Sequence, residues 1–198
     1  MEKDIKKSVV YYASDEQFQT LLDERKILIN EDIDAWVIND IVANIIKWNK
    51  EDKDVPVEDR KKIILYINTY GGSVSDGFSL IDTIILSKTP VVTVNIGCEY
   101  SMGFLIGLAG HTRLTLPSST FLLHDGSTGV INSMSKVSDT AKFYKQMEEQ
   151  IKEYVLSHSS LSSKMYNSKY GNEWYMYPTE AMKYSFVDRV VTDIDEIL

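Results

Sequence analysis

Residues 63–86 read IILYINTYGGSVSDGFSLIDTIIL, and the change of rhythm inside this stretch decides the fold. Residues 63–67 form a continuous apolar, largely β-branched run of the kind a strand shows when both faces are covered. The run ends at Gly71-Gly72. From 73 to 87 the apolar residues recur at helical spacing, with Phe78, Ile81, Ile84 and Ile85 predicted to face inward. Ser73 or Ser75, with Asp76, is positioned to cap the first amides, and Pro90 stops the helix. The same strand-to-helix step recurs on both sides. Upstream, residues 26–29 read as a strand and 35–48 as a helix whose inner face is Val37, Ile38, Ile41, Ile45 and Ile46. Downstream, 91–96 reads as a buried strand, 97–101 as a sharp turn, and 102–109 as a short apolar helix closed by Gly110. Two short strands follow at 113–116 and 120–124, around a turn at Pro117-Ser118-Ser119. A long amphipathic helix is predicted over 134–158, from Val137, Ala141, Tyr144, Met147, Ile151, Tyr154 and Val155. A helix over 160–169, a short segment at 174–177, a helix opened by Pro178 and a strand at 189–191 complete an α/β fold with a largely parallel sheet.

The chain has 198 residues, enough for one well-buried domain and short for two, so 1–198 is read as a single domain. A net charge of -8 argues against a nucleic-acid partner, which a clustered basic face normally meets. The mixed-charge stretch 50–62 reads as a solvated loop or helix end. Cys98 is the only cysteine; it excludes an internal disulfide, fits a reducing compartment, and reads as a small core residue. No apolar run is long enough for a bilayer and the N-terminus lacks a signal-peptide core, so a cytoplasmic protein is expected. One cysteine and three separated histidines offer no metal spacing, and neither a phosphate loop nor a dinucleotide fingerprint occurs, so no metal or cofactor is expected.

Peptide hydrolysis needs a nucleophile, a base, a group that orients the base, and amide donors for the developing oxyanion. Ser101 lies where a buried strand turns into an apolar helix, which sets its hydroxyl at a helix N-terminus beside the amide of Met102. The plainer reading is that Ser101 caps that helix. Gly71-Gly72 could point main-chain N–H groups at an oxygen, or form only a turn. Two amide sites at the ends of neighbouring parallel strands meet where α/β sheets bind ligands. Of the histidines, His111 is expected in an exposed loop and His158 at a polar helix end. His124 closes the apolar run Thr120-Phe121-Leu122-Leu123 and emerges at a strand end, as a base or as a hydrogen-bonded structural residue.

The segments 67–74 (INTYGGSV), Tyr100-Ser101-Met102-Gly103, Leu122-Leu123-His124, 177–181 (YPTEA) and Val187-Asp188 stand in the order and spacing of the Clp proteolytic subunit (ClpP) family, which the chain resembles from about residue 22 to 191. The resemblance implies a crotonase-like, ClpP-like α/β fold of repeated ββα units with a protruding long handle helix, the handle at about 126–158. It implies Ser101 as nucleophile, His124 as base and the amides of Gly72 and Met102 as oxyanion hole. Extended substrate would add as a strand beside Ser73-Val74 and Asp125-Gly126. Counting back from Glu180-Ala181, the family's triad aspartate falls on Glu173 and its preceding basic residue on Asn172. Tyr70 replaces a proline, Glu99-Tyr100 replace small residues, Asp125-Gly126 replace glutamine-proline, and segment 1–20 diverges. The resemblance further implies a homo-oligomer of heptameric rings, usually stacked in pairs around a chamber where unfolded proteins are hydrolysed. An AAA+ unfoldase would feed the chamber, using ATP that the subunit itself does not bind.

Three other readings are compatible with the residues. A catalytically silent subunit would assemble into hetero-rings with an active paralogue. A viral capsid-maturation peptidase would associate with a capsid protein. An acyl-CoA enzyme with the same paired-amide oxyanion hole would bind coenzyme A and would not need Ser101 or His124.

Overall fold

The structure is a computed structural model that describes residues 15–127, 129, 131 and 133–198. Most of the divergent N-terminal segment, and Thr128, Val130 and Asn132 of the segment 126–158 expected as a handle, lie outside the described residues. Among the described residues, seven strands form one sheet. Strands β1 (Lys26–Ile29), β2 (Ile63–Thr69), β3 (Val91–Tyr100), β4 (Thr112–Thr115) and β7 (Arg189–Val190) lie side by side and pair in parallel. Strand β5 (Thr120–Leu123) pairs in parallel with the far half of β3, and β6 (Trp174–Met176) closes antiparallel on β5.

Among the described residues seven α-helices accompany the strands: α1 (Asp15–Asp23), α2 (Ala35–Glu51), α3 (Val74–Leu86), α4 (Met102–Leu108), α5 (Met134–Ser157), α6 (Ser163–Lys169) and α7 (Pro178–Lys183). The principal core joins Leu65 and Ile67 of β2 to Ile38, Ile41 and Ile45 of α2, Leu80, Ile81 and Ile84 of α3, and the wholly buried α4. A smaller cluster, Val92, Val94, Leu114, Val191 and Ile197, covers the opposite face, where the Tyr66 hydroxyl donates to the Ile197 carbonyl. No helix among the described residues is long and apolar enough to cross a membrane.

Several expectations change. Strand β3 does not end at Ile96 but continues through Gly97 to Tyr100. It changes partner instead of turning: Val92–Asn95 pair with β4 and Cys98–Tyr100 with β5, while the Asn95 side chain accepts from Gly97 N and donates to the Thr120 carbonyl across the junction. Ile46 and Ile85 are exposed, and Trp48 and Leu80 take the inward positions, because those helical faces are rotated relative to the expected ones. The 50–62 stretch also contains Asp52, a buried residue paired with Arg25 and accepting from the Thr89 hydroxyl.

Helix α4 sits unusually close to the sheet because it carries glycine where the strands present side chains. A Cβ on Gly107 would lie 2.2 Å from Glu99 Oε2, and one on Gly103 would lie 2.5 Å from Thr69 Cγ2. Glu99 is buried, and burial holds its carboxyl well above the usual carboxylate range. The variant Gly107→Ala is therefore expected to destabilise the protein by about 1–3 kcal/mol through overpacking, read as a lower thermal midpoint. The double variant Glu99→Ala/Gly107→Ala should lose less than the two single losses added together, since the residues touch. Full additivity would show that the carboxyl is not the obstacle.

Candidate active site

Ser101 occupies the joint between β3 and α4 at φ 54°, ψ -119°, a left-handed backbone that non-glycine residues seldom adopt. Its amide donates to the Leu122 carbonyl at 3.0 Å, so the pairing of β3 with β5 continues into the bend and fixes it. The Ser101 side chain makes no capping hydrogen bond to α4. The plainer reading, a helix cap, is thus not what the side chain does. Met102 begins α4, and its amide has no intrahelical acceptor.

On the neighbouring strand, the Gly71 carbonyl accepts from Ile33 N at 2.8 Å and Ser73 N donates to the Ile33 carbonyl at 2.7 Å. This bridge turns the intervening N–H of Gly72 away from Ile33, toward the side on which β3 lies. A side chain is excluded at both glycines. A Cβ on Gly71, at φ 105°, would lie 2.7 Å from Ser101 Cβ and 3.0 Å from Met102 N. One on Gly72, at φ 151°, would lie 2.3 Å from the Ile33 carbonyl oxygen.

His124 follows the last residue of β5, and Glu173 precedes the first of β6. The antiparallel register pairs Leu123 with Trp174 and Leu122 with Tyr175, so its next step sets His124 opposite Glu173. Their side chains meet there, with His124 Nδ1 3.0 Å from Glu173 Oε1. The carboxylate is 57% exposed and the imidazole 22%. His124 Nε2 is buried and has no hydrogen-bond partner among the described residues. His124 and Ser101 line one small cavity of about 40 Å³, together with Val74, Met102, Leu105 and Tyr170. The side chains of Ser101 and His124 are not hydrogen-bonded to each other in this state.

The other site candidates are distributed as follows. Ser73 caps α3, its hydroxyl accepting from Asp76 N, and its carbonyl accepts from Gly77 N. With Ser73 N already donating to Ile33, a substrate strand here would have to bond to Gly72 on the other side. Val74 lines the cavity at Ser101, Gly126 also borders it, and Asp125 is exposed beside them. Asn172 is exposed and donates its amide to the Lys169 carbonyl. His111 accepts from Val91 N, and the His158 ring lies 2.9 Å from the Tyr154 carbonyl, both structural contacts. The Cys98 thiol contacts Asn68 Oδ1 and the Thr69 carbonyl, and burial pushes it up from the ordinary thiol value, against reactivity. Among the described residues, no cluster of three or more metal-ligating side chains occurs.

Ile33 and Tyr170 were not anticipated. Ile33 acts through its backbone, which leaves no mark on residue type, and Tyr170 comes from the end of α6, remote in sequence. An edge-on aromatic row, Tyr70, Tyr100 and Tyr175, flanks the site with centroid spacings of 5.7 and 5.6 Å.

The family model described as Clp protease matches residues 11–193. The chain is 31% identical over 178 residues to ATP-dependent Clp protease proteolytic subunit 2 of Tropheryma whipplei, spanning 89% of this chain and 96% of the relative. It is 29% identical to the corresponding subunit 2 of Rhodococcus jostii, spanning 90% of each chain. Against the ATP-dependent Clp protease proteolytic subunit of Deinococcus radiodurans it is 27% identical, over 90% of this chain and 86% of the relative.

Proposed function

The chain belongs to the Clp protease family, and from that premise we propose that it cuts peptide bonds with Ser101 as nucleophile, His124 as base and Glu173 as the group that orients the base. The chain is a serine-type endopeptidase subunit, as its family and its relatives among Clp proteolytic subunits are. The observation that carries the assignment of residues is the 3.0 Å contact between His124 Nδ1 and Glu173 Oε1, on an imidazole that shares a cavity with Ser101.

In the proposed reaction, Glu173 accepts from His124 Nδ1–H and so leaves Nε2 as the basic nitrogen. Seating of the substrate closes the Ser101 hydroxyl onto Nε2, which takes its proton as Oγ attacks the peptide carbonyl. The N–H groups of Gly72 and Met102 then face the oxyanion of the tetrahedral intermediate. The imidazolium returns the proton to the leaving amine, the C–N bond breaks, and an acyl-Ser101 ester remains. Water, deprotonated by the same Nε2, hydrolyses that ester. The extended substrate pairs with the backbone at Gly72 and runs between Val74 and the Asp125-Gly126 segment.

The family works as a ring oligomer with a Clp ATPase. For this chain we propose a single peptidase domain assembled into heptameric rings in the cytoplasm, fed by an AAA+ unfoldase that alone consumes ATP. No cofactor enters the proposed chemistry. Treatment with a fluorophosphonate followed by intact-mass measurement is expected to show one adduct per subunit, on Ser101. An assembled ring that stays unlabelled, or an adduct on another serine, would overturn the assignment.

A further inference from the structure

We propose that Glu148 makes this peptidase select lysine or arginine at the substrate residue whose carbonyl is attacked. The inference rests on the reading of Ser101 as nucleophile. The cavity at Ser101 is walled mainly by Val74, Met102, Leu105, Leu123 and Ile151, so the part of a substrate side chain nearest the reacting carbonyl meets hydrocarbon. That cavity abuts a second of about 360 Å³, with which it shares Val74, Gly126, Ile151 and Tyr170. The second cavity runs along α5 past Phe143, Tyr144, Met147 and Glu148.

Glu148 is the one charged side chain lining the second cavity among the described residues, and no lysine or arginine lines either one. It stands one helical turn before Ile151, about 4.5 Å along the α5 axis from the residue shared by both cavities. The carboxylate also lacks a cation: among the described residues Glu148 has no ion pair, whereas its neighbour Glu149 is 4.0 Å from Lys152. Burial, and then the negative charges of Glu148 and Asp125, push the Tyr170 phenol up from its ordinary value, so the acidic field extends to the junction of the cavities. A long aliphatic stem with a cationic end matches this sequence of surfaces. Its methylenes cross the apolar neck and its ammonium or guanidinium reaches the carboxylate at the wide mouth.

The test compares fluorogenic peptides identical except for methionine, lysine or arginine at the cleaved position, methionine being unbranched and uncharged. Because Glu148 is exposed, the lysine-to-methionine ratio of kcat/KM should fall roughly 3- to 10-fold in Glu148→Gln and further in Glu148→Lys. Raised salt should lower the ratio in the unaltered protein. Peptidyl phosphonates carrying the same side chains give the ratio from rates of Ser101 labelling, without turnover. An unchanged ratio in both variants overturns the inference while leaving Ser101 as nucleophile. Failure of every substrate and every probe, with Ser101 unmodified, overturns the reading on which the inference rests.

Discussion

The Ser101→Ala variant should lose peptide hydrolysis by about 10⁶-fold, to the limit of detection, and should no longer take a fluorophosphonate. The size of the effect follows from the division of labour in the site. Without Oγ, no acyl-enzyme forms, and only the amides of Gly72 and Met102 and the binding surfaces remain to favour attack by water. The fold should tolerate the change. The Ser101 amide holds the bend through Leu122, and the hydroxyl does not cap α4. An assembled Ser101→Ala protein with normal peptide turnover would remove Ser101 from the mechanism and leave Glu173 and His124 as a structural pair.

Removing the carboxylate with Glu173→Ala should lower kcat by about 10⁴-fold, the scale on which loss of the orienting acid acts in other serine hydrolases. The reason is geometric. The Glu173 carboxylate is the hydrogen-bond partner of His124 Nδ1, and without it the imidazole is free to rotate or to present the wrong tautomer. Because Glu173 is exposed, its loss should leave the thermal midpoint within a few degrees of the unaltered protein, separating a positioning effect from a folding one. The shorter Glu173→Asp is informative. Cross-strand placement opposite His124 lets an aspartate keep the direction but not the full reach, so an intermediate rate is expected. Normal turnover in Glu173→Ala would mean that another carboxylate, or none, orients His124.

Much of the fold is readable residue by residue. The alternation of β2, α3, β3 and α4 is written in the switch from consecutive apolar residues to a helical spacing, and the bounds of β1 and the start of α2 match those expectations. Where reading failed, a tertiary contact outweighed a local signal. Gly97 looks like a turn, yet the strand passes through it because β4 and β5 divide β3 between them, a choice made by partners remote in the chain. Ile46 and Ile85 look like core and are exposed, because the spacing fixes which residues share a helical face and the packed neighbours fix its rotation.

The candidate site divides along the same line. Order and spacing of residues mark Ser101, His124 and the glycine pair, since a strand end, a bend and a helix start are local features. What the linear chain does not contain is distance. That Glu173 meets His124, 49 residues away in the chain, depends on the antiparallel register of β5 and β6. That Gly72 turns its N–H toward β3 depends on a bridge to Ile33. That Glu148 lines the cavity adjoining Ser101 depends on how α5 packs beside Val74, Gly126 and Tyr170. Sequence determined which chemical groups are present and what local structure carries them; packing decided which of them meet, because long-range register and helix rotation are set by many contacts at once and by no residue alone.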